Sequence, residues 1–491
     1  MPDAGPLLGP VPERHGRRAG AGQPRGDADR VPLGAETAAR LDTLVPGPGP
    51  ILIGLSGGAD SRTLLILAAR WGRMAGRTVH ALVCDHGFRT ESANEAKRAA
   101  AMAEAEGVPV RIVRRAGATP KTGLQAAARE WRLTELAHEA RRIGAETILV
   151  GHTRNDRAET VWMRLTAGAG VSGLSAMPPL SPHPVWPDGD GLWIARPLID
   201  QTRAGVRHWL TAQGLDWIED PSNENADFTR IRVRNTLNRL VAQGFETDRL
   251  SGLSETTGVI EEALAEAAAR LLLKTADIQP WGGVRLDRVS LNAAPAGLRR
   301  SAVAAAIAMV SGCPLPAPRG VDAIVNGLTN GEPATGGGAA LTQFRGGFWL
   351  VREPGRDPIP TVPLDSGEMR VWDGRWRITS GPQSLDIGPL GADYSGYAGS
   401  GALERVPGLA RPTLPALRQG GTVLAVAGLD TLDGVRTGWL GPALAARTLF
   451  AGRPPAWFDR AIALKAGENG SRNSFSDAPY PRGSDLEVLD T

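Results

Sequence analysis

Apolar runs of strand length alternate with segments of helical periodicity over the first third of the chain. The apolar runs are ILIGL at 51–55, VHALVCD at 79–85, VRIVR at 110–114 and TILVGH at 147–152. Between them, apolar residues recur every three or four positions, as at Leu64, Leu67 and Trp71, which predicts helices. Similar spacing predicts helices over about 92–106 and 125–142. This alternation predicts a doubly wound α/β domain whose parallel sheet binds ligands at the carboxyl ends of its strands.

The pattern changes twice further along the chain. A predicted helix from about Thr202 to Gln213 follows a loop-rich stretch, and Ala- and Leu-rich segments at 254–274 and 296–311 have helical spacing. From about residue 340, short alternating runs such as GGFWLVRE and MRVWDGRWRITSGP predict strands. The ends are rich in polar residues, Gly and Pro without an apolar period, which is typical of disorder. The predicted divisions are a disordered extension at 1–45, the α/β domain at 46–220, a mainly helical domain at 221–355, a small β-rich domain at 356–467 and a flexible tail at 468–491.

Length and composition agree with several folded units. A chain of 491 residues is too long for one hydrophobic core, and 42% hydrophobic with 22% charged residues is typical of a soluble globular protein. The net charge is only +3, yet four of the 55 basic residues are lysines, which leaves 55 − 4 = 51 arginines. Arginine suits phosphate recognition, but a general compositional bias explains the excess equally well.

Cysteine content and hydropathy exclude other classes. Cys84 and Cys313 are far apart and neither belongs to a Cys-x-x-Cys pair, which argues against a zinc site, an iron–sulfur cluster or a disulfide scaffold. No apolar run approaches the ~18 to 20 residues of a membrane span, and no secretory signal is apparent. We therefore expect a cytoplasmic protein that does not enter the membrane.

A glycine-rich loop joins the first predicted strand to the first predicted helix, and it reads Ser56-Gly57-Gly58-Ala59-Asp60-Ser61. It lacks the spacing and the lysine of the common P-loop. The glycines allow close backbone approach to an anion, the serines offer hydroxyl groups, and the helix amides point toward the same place. Because Asp60 cannot itself favour an anion, we expect it to hold Mg²⁺ beside a phosphate. The alternative is a glycine turn followed by an ordinary helix cap.

This loop resembles the pyrophosphate loop (PP-loop) of the N-type ATP pyrophosphatases, with a complete match to Ser-Gly-Gly-x-Asp-Ser. The resemblance implies that Ser56 to Ser61 bind ATP and that a substrate oxygen attacks its α-phosphate, so that pyrophosphate leaves. The α/β domain at 46–220 would then be a Rossmann-like PP-loop ATPase and the catalytic domain.

Later segments narrow the family. They are CDHGFR at 84–89, GLQAAAREWR at 123–132, GHTRNDRAETVWMRLTAGAGVSGLSAM at 151–177, RPLID at 196–200 and EDPSNENADFTRIRVRN at 219–235. In this order they resemble the tRNA(Ile)-lysidine synthetase family, strongly over roughly residues 48–240 and less uniformly over 312–353. The resemblance implies ATP- and Mg²⁺-dependent ligation of free L-lysine onto the wobble cytidine of the CAU anticodon of tRNA(Ile). The product is lysidine, formed through an adenylated cytosine with release of AMP and pyrophosphate, by an enzyme that could be a homodimer.

Two acidic residues follow the strand TILVGH. Asp156 and Glu159 are three positions apart at the start of a predicted helix, so both carboxylates face the same way and could hold an amine and remove its proton. The alternative is a pair of solvated acids near a helix N-terminus. The resemblance assigns them to the acidic pair of the family that is implicated in lysine recognition and catalysis, although Asn155 stands where Asp is common and Arg157 where Gln is common.

Further candidates lie at the ends of strands and on the helix over 125–142. His152 could contact ATP or substrate, or could simply pack at a helix start. Asp85 and His86 end a strand beside Arg89, where a turn with local hydrogen bonds is the alternative. Arg129 and Arg132 are i and i+3 on the helix and match a family pattern, which makes Arg129 a candidate catalytic residue. Surface ion pairs with Glu130 or Glu135 are the alternative reading.

Three arginines alternate with other residues near residue 232. If this stretch is extended, Arg230, Arg232 and Arg234 place their guanidinium groups on one side and form a basic edge suited to an RNA backbone. A solvated strand or a fraying helix with ion pairs is the alternative.

Two other functions compete with the ligase hypothesis. An RNA thiolase of the same superfamily also adenylates a base. Such enzymes usually need reactive or cluster-binding cysteines, and Cys84 and Cys313 do not have the required spacing. A non-catalytic RNA-binding protein with a nucleotide fold is the second alternative. The retention of Asp60, Asp156 and Glu159 argues against it.

Overall fold

The structure is a computed structural model, and it describes residues 33–88, 91–116, 123–219, 229–355, 359–392, 397 and 400–467. Four sequence-based predictions lie outside the described residues: the extension at 1–32, Arg89, most of the turn at 219–228 and the tail at 468–491.

The N-terminal unit is built on a six-stranded sheet with strand order β3-β2-β1-β4-β6-β5. Its elements are α1 (Leu33–Leu44), β1 (Ile51–Leu55), α2 (Ala59–Ala75), β2 (Val79–Asp85), α3 (Ser92–Ala105), β3 (Val110–Arg114), α4 (Leu124–Ile143), β4 (Thr147–Leu149), α5 (Arg154–Thr166), α6 (Val171–Leu174), β5 (Leu180–Pro182), β6 (Trp193–Ala195) and α7 (Arg203–Ala212). Strands β3, β2, β1, β4 and β6 are parallel, and β5 is an antiparallel edge strand. The predicted doubly wound α/β fold is confirmed.

Helices cover both faces of this sheet because alternate residues of its central strand point to opposite sides. Ile51 and Ile53 of β1 pack in the core that contains α2 and α3. Leu52, between them, packs in the core that contains Leu136 of α4. Burial on both faces explains why the strand is a continuous apolar run.

Helix α1 corrects the predicted N-terminal disorder. Leu41 is fully buried in the core with α2, and Trp71 Nε1 of α2 donates to Asp42 Oδ1 at 2.8 Å. The prediction of disorder up to residue 45 is therefore wrong from Leu33 onward. Helix α1 has few apolar residues and is stabilised by their packing on α2. The composition of the segment alone does not reveal this tertiary contact.

The middle region contains both helices and a five-stranded sheet with strand order β7-β8-β11-β10-β9. Its elements are α8 (Thr229–Ala242), α9 (Asp248–Thr275), β7 (Ala276–Ile278), β8 (Val284–Leu286), α10 (Arg288–Ala293), α11 (Ala296–Ser311), α12 (Pro318–Asn330), β9 (Ala334–Gly336), β10 (Ala339–Phe344) and β11 (Gly347–Arg352). Helices α9 and α11 correspond to the two segments with helical spacing.

The C-terminal region carries two small antiparallel sheets, β12-β15-β16-β17 and β13-β14-β18. Its elements are β12 (Val362–Leu364), β13 (Met369–Trp372), β14 (Trp376–Thr379), β15 (Leu385–Pro389), α13 (Ser400–Leu403), β16 (Pro415–Gln419), β17 (Thr422–Val426), β18 (Arg436–Trp439), α14 (Gly441–Leu449) and α15 (Ala456–Lys465). The predicted β-rich region is confirmed.

One core joins the middle and C-terminal regions. Val303 of α11, Leu350 of β11, Ile387 of β15 and Phe458 of α15 belong to the same buried cluster. The boundary predicted between 355 and 356 thus divides a continuous hydrophobic core. Over the part of the chain that the structure describes, no helix has the length and apolar character needed to cross a bilayer.

A loop of the N-terminal unit contacts the C-terminal region. Trp186 Nε1 donates to the carbonyl oxygen of Gly374 at 2.8 Å, and Arg377 Nη2 lies 2.6 Å from Asp190 Oδ2. Arg447 donates to the carbonyl oxygen of His183. These contacts hold the C-terminal region against the edge of the N-terminal unit.

Candidate active site

A cavity of about 850 Å³ opens at the carboxyl ends of the parallel strands, where a doubly wound fold is expected to bind its ligand. Most of the residues singled out in the sequence line it: Ser56, Gly58, Ala59, Asp60, Ser61, His86, Arg129, His152, Asp156, Arg230 and Arg234. Gly57, Glu159 and Arg232 do not line it. The fold thus brings residues from five separate segments to one concave surface.

The Ser56–Ser61 loop is shaped by its own serines and glycines. Ser61 Oγ accepts from the Ser56 amide at 3.3 Å and donates to the carbonyl oxygen of Gly58 at 3.1 Å. Gly57 has φ +77°, and a Cβ atom there would lie 2.5 Å from Ile218 Cδ1. Gly58 precedes α2 without any side-chain cap, so the first amide groups of α2 are available to an anion.

A close backbone approach joins this loop to the segment that carries the acids. A Cβ atom on Gly151 would lie 2.9 Å from both the carbonyl carbon and the carbonyl oxygen of Asp60. Only glycine allows the end of β4 to pack this closely on the first turn of α2. The contact places His152 and the start of α5 beside the loop.

Asp60 is the carboxylate of the loop. Its Oδ2 lies 3.8 Å from Arg203 Nε, and its Oδ1 is buried without a hydrogen-bond partner among the described residues. Burial raises the pKa of Asp60 to about 6, with a further contribution from Asp156, against the opposing charges of Arg203, Arg207 and Arg234. Because Asp60 also lines the cavity, its carboxylate is a candidate partner for a cation.

Asp156 both caps α5 and lines the cavity. The Thr153 amide and hydroxyl donate to Asp156 Oδ2, each at 2.8 Å, and Arg203 Nη2 donates to Oδ1 at 3.1 Å. Burial favours the neutral acid, but Arg203, His152 and the Thr153 donors outweigh it, so the pKa of Asp156 is lowered. Asp156 is therefore a fixed anion.

Glu159 lies behind the cavity wall in a cage of arginines. Its side chain is 3% exposed, and Oε1 accepts from Arg234 Nε at 2.8 Å and from Arg203 Nη1 at 3.3 Å. Arg230 Nε lies 3.8 Å from Oε2. Because Arg203 contacts both acids, Asp156 and Glu159 do share a face of α5, as their spacing predicts, and neither is a solvated surface acid.

Arg203 is the functional candidate that sequence reasoning missed. It begins α7 after the N-cap Thr202, and its amide donates to Asn155 Oδ1 at 2.9 Å. Its guanidinium contacts Asp60, Asp156 and Glu159, which come from two helices. The RPLID segment, which ends three residues upstream, is one of the segments that resemble the family. No local pattern connects position 203 with positions 60 and 156.

The arginines near residue 232 lie on a helix, so the prediction of three guanidinium groups on one side is wrong. In α8, Arg230 and Arg234 are one turn apart and face Glu159, whereas exposed Arg232 donates to Thr229 Oγ1 at 3.1 Å. Leu237 of α8 packs with residues of α5 and α9 in a small buried cluster. This tertiary packing outweighs the alternating pattern that suggested a strand.

The remaining candidates sit at the cavity wall. The His86 ring stacks 5.5 Å from Phe88 and meets the edge of Trp131 at 5.1 Å, and burial lowers the His86 pKa. Burial also lowers the pKa of His152 to about 3, so its imidazole is neutral at physiological pH. Asp85 also lines the cavity, and it accepts from the Gly87 amide at 2.9 Å, which is the local turn of the alternative interpretation.

The positive charge of the cavity is arginine throughout. Arg129, Arg196, Arg203, Arg207, Arg230 and Arg234 all line it, together with Arg132. Burial and the neighbouring arginines Arg132 and Arg230 lower the pKa of Arg129, and burial lowers that of Arg196 to about 10. Crowded guanidinium groups that repel one another favour an anionic ligand such as a polyphosphate.

The acidic residues of the cavity suit a hard cation that is held by few protein ligands. They do not suit a metal ion that is fully coordinated by protein side chains. Within the described ranges, no group of three or more His, Cys, Asp or Glu residues could hold a metal ion. Mg²⁺ is commonly bound through one or two carboxylates plus substrate phosphates. Asp60 lines the cavity and has one buried oxygen without a partner among the described residues, so it meets this requirement.

The fold and the loop define the class of protein: residues 35–241 match the family described as the PP-loop domain. Curated relatives narrow the class further. A tRNA(Ile)-lysidine synthase of Caulobacter vibrioides is 35% identical over 378 residues, which cover 75% of this chain and 84% of the relative. One from Bradyrhizobium diazoefficiens is 38% identical over 262 residues, 52% of this chain and 71% of the relative. One from Rhizobium meliloti is 32% identical over 366 residues, 71% of this chain and 76% of the relative. The chain belongs to the tRNA(Ile)-lysidine synthase family.

Proposed function

We propose that this chain is an ATP-dependent ligase that joins free L-lysine to the wobble cytidine of a tRNA(Ile) with a CAU anticodon. The observation that carries the proposal is the shared cavity: the uncapped N-terminus of α2 and the fixed anion Asp156 open onto the same space. This arrangement supports the binding of a phosphate and an amine side by side. Family membership supports the substrates.

The chemistry requires activation first, because an amide-like carbonyl is a poor electrophile until its oxygen becomes a leaving group. The cytosine O2 atom attacks the α-phosphorus of ATP, and the bond to pyrophosphate breaks. The lysine ε-ammonium first gives a proton to solvent and becomes a free amine. Its nitrogen then bonds to C2 and loses a second proton to solvent, while the bond from C2 to the AMP oxygen breaks. In this scheme the Ser56–Ser61 loop and the α2 amides hold the departing pyrophosphate.

The charged side chains take distinct proposed roles. Asp60 would hold Mg²⁺, which neutralises phosphate charge when it is bound. Asp156 binds the lysine ammonium. Glu159 helps to position Asp156, because Arg203 contacts both carboxylates. Arg129, Arg230 and Arg234 face the cavity, where they balance phosphate charge on the nucleotide or the RNA backbone. His86 and His152 are proposed to contact the nucleotide as neutral imidazoles.

Cysteine chemistry gives little support to the thiolase alternative. Burial raises the pKa of the Cys84 thiol to about 12, so it is not a thiolate at neutral pH, and Cys313 does not line the cavity. A thiolase would need a reactive thiolate or a cluster-binding group at the cavity. A cytoplasmic location follows from the proposed tRNA substrate, and a homodimer remains a prediction that light scattering can test.

The test is a ligation assay with purified protein, ATP, Mg²⁺, radiolabelled lysine and unmodified tRNA(Ile). We expect label in the tRNA with one AMP and one pyrophosphate per lysine, and none when the wobble C of the tRNA is replaced by U. Folded protein that incorporates no lysine contradicts the proposal. Sulfide-dependent base modification would favour the thiolase, and tRNA binding without pyrophosphate release would favour a binding protein.

A further inference from the structure

Arg157 joins three elements behind the cavity. It follows Asp156 on α5 but points away from the ligand space, with a side chain that is only 3% exposed. Its Nη1 lies 2.5 Å from Glu255 Oε1 of α9 and 3.3 Å from Asp200 Oδ1, in the segment before α7. A buried guanidinium needs such partners because its desolvation is costly.

The segment 200–203 is tied to the start of α5 by further hydrogen bonds. Arg154 donates its amide to the Gln201 carbonyl oxygen at 2.9 Å and Nη2 to the Asp200 carbonyl oxygen at 2.6 Å. The amide of Arg203 donates to Asn155 Oδ1 at 2.9 Å. The first residues of α5 therefore fix the backbone that carries Arg203 to the three acids.

Helix α9 extends from this point into the large C-terminal core. Leu250, near its start, packs with residues of α5 and α8. Ala265, Ala269 and Leu272, further along the same helix, belong to the core that contains α11 and α15. Glu255 is thus a point at which α9 reaches the back of the active site through a charged contact, in addition to the pair of Asp248 with Arg154 at the start of α9.

We infer that Arg157 is a positioning residue of the proposed ligation reaction. Its guanidinium bridges Glu255 of α9 to Asp200, which keeps Arg203 in register with Asp60, Asp156 and Glu159. The inference rests on the proposed function for its kinetic part. Because Arg157 touches none of the reacting groups, its effect must pass through the placement of Arg203.

The variants are Arg157→Gln, Arg157→Lys, Glu255→Gln and the double variant Arg157→Gln/Glu255→Gln. Glu266→Gln is the matched control, since Glu266 lies on the same helix and forms an exposed ion pair with Arg270 at 2.7 Å. Each full-length protein is assayed for kcat and for KM of lysine, ATP and tRNA. Hydrogen–deuterium exchange of the peptide containing residues 200–206 reports the segment directly.

We expect Arg157→Gln to lower kcat by about tenfold or more, because a displacement of about 1 Å in an active site can cost up to about a hundredfold. The KM for tRNA should change less than about twofold, and Arg157→Lys should recover part of kcat. Exchange in 200–206 should rise. The double variant should be no slower than Arg157→Gln alone, since both changes remove one interaction.

Several results would overturn the inference. Wild-type kcat in Arg157→Gln, unchanged exchange in residues 200–206, or purely additive effects in the double variant would each do so. If Arg157→Gln does not fold, the exposed change Glu255→Gln decides, because it must still lower kcat and raise exchange relative to Glu266→Gln. If wild-type protein makes no lysidine, the proposed function fails, while the exchange measurement still tests whether Arg157 orders the segment.

Discussion

Asp60 shows how one buried carboxylate acquires a role from its surroundings. Its Oδ1 is buried without a hydrogen-bond partner among the described residues. Burial and the charge of Asp156 raise its pKa to about 6, although the nearby arginines oppose this shift. A carboxylate in this setting is available to a cation that arrives with a polyphosphate, and it contributes little to the hydrophobic core.

The change Asp60→Asn should abolish ATP-dependent pyrophosphate release, with a loss of at least about a hundredfold in rate, because it removes a charge preorganised beside the reacting phosphates. The free energy of unfolding should change by less than about 1 kcal/mol, since the substitution is isosteric and relieves repulsion from Asp156. Pyrophosphate release and urea unfolding are the measurements. Near-normal release in folded Asp60→Asn protein would remove the metal role.

His152 predicts a pH dependence of stability. Its folded pKa is about 3, because burial opposes the charged form and Arg196, Arg230 and Arg129 repel it, although Asp156 favours it. The unfolded pKa is about 6.5. Between these values the unfolded chain binds the extra proton, so the free energy of unfolding falls as the pH falls below about 6.5.

Replacing His152 by Gln should remove this component. We expect the wild type to lose about 1 kcal/mol more than His152→Gln for one pH unit below 6.5, measured by urea unfolding at pH 7.5, 6.5 and 5.5. Both proteins share every carboxylate, so their difference isolates the imidazole. Equal slopes in the two proteins would show that His152 titrates normally in the folded state.

At the level of elements, the three helices that carry Asp60, Asp156 and Arg203 in their first turns differ in how their N-termini are capped. Helix α5 is capped by Thr153 with Asp156, and α7 is capped by Thr202, whose Oγ1 accepts from the Gly205 amide at 3.0 Å. Helix α2 begins after Gly58 without a side-chain cap. Among these three N-termini, α2 is therefore the expected anion site, since side chains already cap the other two.

In helix α8, Arg234 lines the cavity and Arg232 is exposed to solvent. Arg234→Gln should lower kcat/KM for ligation by about tenfold or more, because it leaves buried Glu159 short of its 2.8 Å partner and removes a charge from the cavity. Arg232→Gln, on the exposed face of the same helix, is the control and should change ligation less than about threefold. Steady-state assays at fixed ionic strength measure both. Equal losses at the two positions would favour the extended basic edge predicted from sequence.

At the level of the whole molecule, the catalytic unit and the C-terminal region are held by buried polar contacts. Asp190 is 3% exposed and pairs with Arg377 of β14, and Trp186 donates to Gly374 in the adjoining turn. The large shared core from α9 to α15 then connects this contact to α9, which also touches the back of the active site. A continuous set of packed residues therefore connects the C-terminal region to the back of the active site.

Arg377→Gln should lower the free energy of unfolding by about 2 to 3 kcal/mol, because it leaves the buried Asp190 carboxylate without its ion-pair partner. Arg436→Gln, at an exposed position on neighbouring β18, is the control and should change stability by less than about 0.5 kcal/mol. Thermal and urea unfolding of the full chain provide the measurement. Similar stabilities for the two variants would mean that the Asp190 contact does not hold the regions together.

The sequence by itself determined the class of fold and the phosphate loop. The strands at 51–55 and 79–85 are buried on both faces, so their apolar runs are continuous and readable, and Ser56 to Ser61 form one local stretch whose glycines have a local purpose. The capping pair Thr153 and Asp156 is also a short-range pattern. Such features can be predicted from sequence because the interacting residues are neighbours along the chain.

The tertiary structure alone decided the rest. Arg203 meets Asp60 and Asp156 across more than forty positions of sequence, α8 is a helix because Leu237 packs on α5 and α9, and α1 is ordered because Leu41 packs on α2. One core also unites regions that composition separates at residue 355. Each of these features depends on contacts between distant segments, and their energies are set by burial and charge in the folded state rather than by any local sequence preference.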